Sequence, residues 1–208
     1  NPDYWKLGAE WMQRISFEKK GRGLDVRVYT GKMGVISTDS FPFSKGYIAN
    51  PGIRVLASSG ADDYTLEQIQ PCRSSETGLF AKNRNVRDAG LRIALPYNQF
   101  TGFNYSTDWA ASIQLTSHLP LPVPIQVYAD LAMFANAKSV LPSQKSSLYV
   151  AGLQYEFLSF GKGKVFTVNL PLMYSSDFDL YFGRYNSVFR RVMFTARFDL
   201  MDLTRELR

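Results

Sequence analysis

The chain has 208 residues, 45% of them hydrophobic and 14% aromatic, with a formal charge of +6, one histidine and one cysteine. That length buries one sizeable core and little more, so a single domain over residues 1–208 is expected. The lone Cys72 excludes an internal disulfide framework, and the basic runs Lys19-Lys20-Gly21-Arg22 and Arg190-Arg191 are too short to make a nucleic-acid groove, so no nucleic-acid partner is expected.

No stretch supplies the roughly 18 to 20 uninterrupted apolar residues of a membrane-crossing helix. Asn1-Pro2-Asp3 has no charged region followed by an apolar one, and a start without Met directly before a strand-like pattern leads us to expect a processed product or the C-terminal part of a longer protein. Abundant Tyr and Phe in a chain of mean hydropathy -0.18 suit a two-faced membrane sheet better than apolar helices.

The first segment, Tyr4 to Glu18, alternates with period two. Trp5, Leu7, Ala9, Trp11, Ile15 and Phe17 fall on one parity and Lys6, Glu10, Arg14 and Glu18 on the other, with Gln13 as the break. It is longer than a common soluble strand of about 5 to 6 residues, and it fits a tilted membrane-crossing strand of about 9 to 11 residues plus rims. Leu24 to Gly31, Gly52 to Ser58 and Val86 to Leu95 are less regular strand candidates.

In Thr107 to Leu119, Trp109, Ala111, Ile113 and Leu115 oppose Asp108, Ser112, Gln114 and Thr116. The run Leu119-Pro120-Leu121-Pro122-Val123-Pro124 lacks ladder donors and predicts a tight connection. Ile125 to Phe134 follows, its row of Ile125, Val127, Ala129, Leu131 and Met133 opposed by Gln126, Tyr128 and Asp130. Ser147 to Phe157 and Lys164 to Tyr174 are further candidates, the latter interrupted by Pro171. In the last, Val188, Val192, Phe194, Ala196, Phe198 and Leu200 alternate with Arg191, Thr195, Arg197 and Asp199, Arg190 breaking the apolar row. Short links at 161–163 and the Pro-rich run alternate with long ones at 37–51, 59–78, 136–146 and 175–187.

These features predict an all-β fold, an antiparallel outer-membrane β-barrel or the major part of one, with about 8 to 12 strands and long loops on one side. If the apolar parity faces lipid, the other parity carries a lumen charge network of Lys6, Glu10, Arg14, Asp25, Arg27, Asp88, Arg92, Asp130, Arg197 and Asp199. Mixed signs in a small lumen pair with one another and fill it. Tyr4, Trp5, Phe17, Trp109, Phe157, Tyr174 and Phe189 sit near strand ends, as interfacial girdles do. The alternative is a soluble β-sandwich, in which the apolar parity would face a dry core.

Catalytic motifs are not expected. One histidine, His118, cannot build a two-histidine zinc site, and no nucleophile motif surrounds it. Gly21-Arg22-Gly23 and Gly161-Lys162-Gly163 read as turns, and Asp62-Asp63 and Asp177-Phe178-Asp179 as solvated loops without EF-hand spacing.

Three stretches carry a family resemblance. The first is Gly60-Ala61-Asp62-Asp63-Tyr64, with Ser74-Ser75-Glu76-Thr77-Gly78-Leu79-Phe80-Ala81 and Arg87-Asp88-Ala89-Gly90-Leu91-Arg92 after it. The second is Leu170-Pro171-Leu172-Met173-Tyr174-Ser175-Ser176-Asp177-Phe178, and the third Arg191-Val192-Met193-Phe194-Thr195-Ala196-Arg197-Phe198-Asp199-Leu200. Together they resemble the barrel-like region that follows the catalytic part in long Bacteroidota zinc aminopeptidases similar to aminopeptidase N. The chain departs from that pattern after the last strand, where Met201-Asp202-Leu203-Thr204 replaces an Asn-Pro pair.

The family's zinc helix is absent, so the resemblance implies no catalytic or metal residue here and places any zinc in an upstream domain. It implies a membrane anchor or scaffold in the bacterial outer membrane, with lipid and an upstream peptidase-like domain as partners. Other outer-membrane proteins are partners under the alternative of an assembly, export or transport subunit.

Overall fold

The computed structural model describes residues 4–17, 22–36, 52–59, 84–86, 88–93, 105–118, 124–135, 145–160, 163–179 and 191–196. They form an all-β protein around one large antiparallel sheet of seven strands. In chain order its members are β1 (Tyr4–Ser16), β2 (Gly23–Val35), β7 (Trp109–His118), β8 (Ile125–Phe134), β9 (Ser147–Phe160), β10 (Gly163–Tyr174) and β11 (Met193–Ala196). Each lies beside the one before it and runs antiparallel to it. Short connections at 17–22, 119–124 and 161–162 gather at one end of the sheet, and long ones at 36–108, 135–146 and 175–192 at the other.

Period-two segments became wall strands because alternation suits a sheet whose two faces meet different surroundings. The outward rows are apolar yet exposed, and polar residues lie among the buried inward ones. On β8 the outward Leu131 and Met133 are 41% and 48% exposed, while the inward Gln126 and Asp130 are 1% and 3% exposed. On β7, Ala110, Ser112, Gln114 and Thr116 are buried while Trp109 and Ile113 are exposed. β9 and β10 continue this with Gln154, Thr167 and Asn169 buried, and Tyr155, Phe157 and Leu172 exposed.

Two candidates are not wall strands. Residues 52–59 contribute only β3 (Ile53–Arg54) and β4 (Ser58–Ser59), which pair with β6 (Tyr105–Ser106) and β5 (Arg84–Asn85). Residues 88–93 lie against them: Leu91 N–H donates to the Val55 carbonyl at 2.8 Å and Ala57 N–H to the Leu91 carbonyl at 3.0 Å. Ile53 to Ala57 and Ala89 to Ile93 are buried at every position, as a segment enclosed on all sides must be. They pack with Tyr29, Met33, Ala110, Tyr128, Ala132, Phe134, Leu148, Val150 and Phe178 in one apolar cluster. That cluster occupies the inward face toward the long-connection end.

The aromatic positions divide in the same way. Trp5 and Trp109 are exposed near the long connections, and Phe17 and Phe157 near the short turns. Phe166 stacks on Phe194 at 5.5 Å and meets Phe157 edge-on at 6.2 Å, forming an outward ladder across β9, β10 and β11. Tyr174 departs from the girdle expectation: it packs against the apolar cluster and edge-on to Phe178. The side chain of Tyr4, and Phe189 as a whole, lie outside the described residues.

Pro171 enters β10 at a bulge. It pairs with Gly152, and the register shifts between Pro171 and Met173, which relieves the ladder of the N–H that proline lacks. A Cβ at Gly152 would run into the Leu170 carbonyl and stand 2.9 Å from the Pro171 Cα. Because the obstacle is backbone, Gly152→Ala is expected to cost about 1–3 kcal/mol. Urea unfolding in detergent reads this as a lowered midpoint, while Ala129→Val on the outward face stays within about 0.5 kcal/mol of the parent.

Candidate functional site: the charged inward face

The register sets which charges meet. In β1 the even residues face inward, and each pairs with an odd residue of β2: Lys6 with Met33, Gly8 with Gly31, Glu10 with Tyr29, Arg14 with Asp25. The Tyr29 ring lies along the glycine pair, its hydroxyl 2.7 Å and 2.5 Å from where Cβ atoms at Gly8 and Gly31 would stand. The two glycines thus give the ring room to lie flat on the wall.

Asp88 gathers the first charge cluster. Its carboxylate accepts from Lys6 Nζ at 2.6 Å and from the Arg54 N–H at 3.1 Å, and its carbonyl accepts from Arg27 Nη2 at 2.7 Å. Arg27 Nε donates to Glu10 at 2.8 Å. Asp88 has φ 51°, a left-handed conformation that aspartate tolerates better than most side-chain-bearing residues. Two wall strands therefore hold one turn of the inner segment.

Arg92 forms the second cluster, deeper in the sheet. Its backbone N–H donates to Asp130 Oδ2 at 2.7 Å, its Nε to Oδ1 at 2.9 Å and its Nη2 to Oδ1 at 2.5 Å. Nη1 donates to Thr116 Oγ1 at 2.5 Å and to Gln154 Oε1 at 3.4 Å, and Nη2 also to the Leu115 carbonyl at 2.7 Å. The guanidinium stands 4.6 Å from the Tyr128 ring centre. Gln114 Nε2 donates to the Gly90 carbonyl, so β7 holds residues 88–93 at Gly90 as well as at Arg92.

From Gln154 an amide chain continues to the short-turn end. Gln154 Nε2 donates to Gln126 Oε1 at 3.1 Å, and Gln126 Nε2 donates to Glu156 at 3.0 Å and to His118 Nε2 at 2.9 Å. With Nε2 accepting, His118 carries its proton on Nδ1 and donates to the Gly23 carbonyl at 3.3 Å.

Of the ten residues expected in a lumen network, Lys6, Glu10, Arg27 and Asp88 meet in one cluster and Arg92 and Asp130 in the other. Arg14 and Asp25 pair at 3.7 Å near the short-turn end, with Arg14 half exposed and Asp25 partly so, so their bond contributes little. Arg197 and Asp199 lie outside the described residues. Asp88 and Arg92 belong to the inner segment and not, as their strand pattern suggested, to the wall.

Thr116, Gln114, Gln126, Gln154 and Glu156 complete the network and were missed as members. Parity marks Gln114 and Gln126 as inward, but nothing in a sequence says that a guanidinium arrives from another segment to meet them.

Among the described residues no three His, Cys, Asp or Glu side chains are grouped to hold a metal ion, and both nitrogens of His118 are engaged within the wall. Asp177, expected in a solvated loop, is buried in a short 3-10 turn, Ser176–Phe178; Asp62 and Asp63 lie outside the described residues. Comparison with protein-family models, curated proteins and solved structures yields no match.

Removing one partner of a buried, hydrogen-bonded pair leaves the other charge without compensation. Asp130→Ala is therefore expected to cost about 3–5 kcal/mol, and Arg92→Met combined with Asp130→Leu to recover most of that loss. A double-mutant cycle of urea midpoints measures both; equal loss in the single and double variants would mean that the pair does not hold the segment.

Proposed function

We propose that the chain is a membrane-embedded sheet of an outer-membrane β-barrel, serving as anchor or scaffold for an upstream peptidase-like domain, without catalysis of its own. One observation carries the membrane reading: on β7 to β10 the outward rows expose apolar side chains such as Ile113, Leu131, Phe157 and Leu172, while the polar side chains of Gln114, Asp130, Gln154 and Asn169 are buried on the inward rows. In water that arrangement leaves a broad apolar face unprotected. In a bilayer it places apolar side chains against lipid and lets the polar rows pair inside. The soluble-sandwich alternative asks for the opposite distribution.

No helix among the described residues is long and apolar enough to cross a membrane, so any crossing falls to strands. The one-sided arrangement of short and long connections suits a barrel inserted in one orientation. The anchor reading, rather than transport, is favoured by the inner segments and the amide chain, which fill the inward face at two levels. The upstream peptidase and its zinc rest on the family resemblance of the three stretches named above.

The full-length protein is expected to remain in the membrane after alkaline carbonate extraction and to change its electrophoretic mobility on boiling. Appearance of a monomeric species in the carbonate supernatant would overturn the membrane reading. In planar bilayers the purified protein is expected to be electrically silent; steady single-channel steps would favour the transport alternative.

A further inference from the structure

On the outward rows of β1, β2, β7, β8 and β9 one residue alone is charged, Lys32 of β2. It is exposed. The acids of those five strands, Glu10, Asp25, Asp130 and Glu156, all stand at inward positions, so the wall offers Lys32 no counter-charge. Among the described residues it makes no ion pair. A lysine on the lipid side of a barrel costs about 2–4 kcal/mol at the bilayer midplane and about 0–1 near its surface. Lys32 stands where the cost is small: its register partner Trp109 opens β7, and β2 ends soon after it, at Val35.

The neighbouring side chains make a patch of donors on an apolar ground. Leu7 of β1 and Trp109 of β7 flank Lys32 in register, and both are exposed. Trp5, the outward residue before Leu7, pairs with Gly34 and lays its ring over it: a Cβ at Gly34 would meet Trp5 Cε2 at 2.6 Å and Cζ2 at 2.8 Å. Gly34 lies two residues from Lys32 on the same face, about 7 Å along the strand. A glycine at this position thus lets the indole lie flat on β2 beside the lysine. Trp5 remains 44% exposed, and an indole N–H can only donate. The ammonium and the indole N–H are therefore two donors side by side, with Leu7 and Trp109 around them.

A partner that fits must place an anion at the level of the membrane surface and an apolar body below it, along the exposed outward rows. A second copy of the same face brings no acid on its described outward rows. A lipid with a net negative phosphate headgroup meets both demands: its phosphate oxygens accept from Lys32 and Trp5, and its acyl chains cover the apolar rows. We propose that Lys32, with Trp5 and Trp109 beside it, binds the phosphate headgroup of an anionic lipid in the leaflet on the long-connection side. The proposal rests on the membrane reading above.

The test uses the purified full-length protein in vesicles of phosphatidylcholine with phosphatidylglycerol as the minor lipid. A photoreactive phenylalanine analogue replaces Leu7, beside Lys32, or Leu131, outward on β8 and away from it, and mass spectrometry counts the lipid adducts. At Leu7, phosphatidylglycerol is expected about fivefold above its share of the bilayer, the worth of one lysine at an anionic surface; at Leu131 both lipids are expected in proportion. Lys32→Gln is expected to bring the Leu7 adducts to proportion, and Lys32→Arg to keep the enrichment. Proportionate labelling at Leu7 in the parent overturns the proposal, as do enrichment that survives Lys32→Gln, equal enrichment at Leu131, and adducts confined to a second copy. The two failures are distinguishable: no lipid adducts at either position sinks the membrane reading and this proposal together, while lipid adducts without enrichment sink the headgroup site alone.

Discussion

The Asp130 carboxylate accepts from the backbone, Nε and Nη2 of one residue, Arg92. Asp130 sits in the middle of a wall strand, and an ionised carboxylate there is tolerable only where its lone pairs are filled. The partner comes from a segment that is not part of the wall. The polar inward face and the inner segment therefore require each other: without residues 88–93 the wall holds an unpaired acid, and without the wall Arg92 holds an unpaired cation. The same logic recurs at Asp88, where the acid comes from the inner segment and Lys6 from the wall.

Magnitudes assign different tasks to the two kinds of contact. Ile53, Val55, Leu56, Leu91 and Ile93 are fully buried, and burial of such side chains stabilises by about 1.5–3 kcal/mol each. A buried ion pair, compared with apolar residues of the same shape, is often neutral or unfavourable. Apolar packing thus holds the inner segments in place, while the charges fix which residue of the segment stands opposite which strand. A slip of residues 88–93 would leave Asp130 and Lys6 unpaired at once, a penalty that a purely apolar contact would not impose.

The wall was legible in the sequence because its strands separate two environments. Ile125 to Phe134 was bounded correctly at both ends, since its outward row is apolar throughout and its inward row carries Gln126 and Asp130. β1 and β7 were read nearly as well. Gly52 to Ser58 and Val86 to Leu95 were misread because a short apolar run looks the same whether it lies in a wall or is enclosed on every side. A distinguishing sign existed only in the first of them: Ile53-Arg54-Val55-Leu56-Ala57 places apolar residues on both parities, whereas Ala89-Gly90-Leu91-Arg92-Ile93 alternates as a wall strand does. The pairing of Arg92 with Asp130 spans two segments with no local signal linking them, so period could mark both residues as inward but could not join them. Tyr174 failed as a girdle residue for a related reason, since the bulge at Pro171 shifts the register that parity counting assumes.

The inward face is graded along its length, and the gradient bears on what the sheet can do. Toward the long connections it is apolar and covered by residues 52–57 and 88–93. At mid-height Arg92 ties β7, β8 and β9 together through Thr116, Asp130 and Gln154. Toward the short turns the chain of Gln154, Gln126, His118 and Glu156 spans the same three strands side chain to side chain. A solute moving along this face would have to displace an apolar cluster and then break a series of mutually satisfied amides, two barriers of different character, so a transported molecule would need to be both apolar and strongly hydrogen-bonding to exchange with each. A rigid anchor makes no such demand. For the anchor proposed above, a cross-braced inward face would resist deformation, and the exposed apolar rows would be left to lipid.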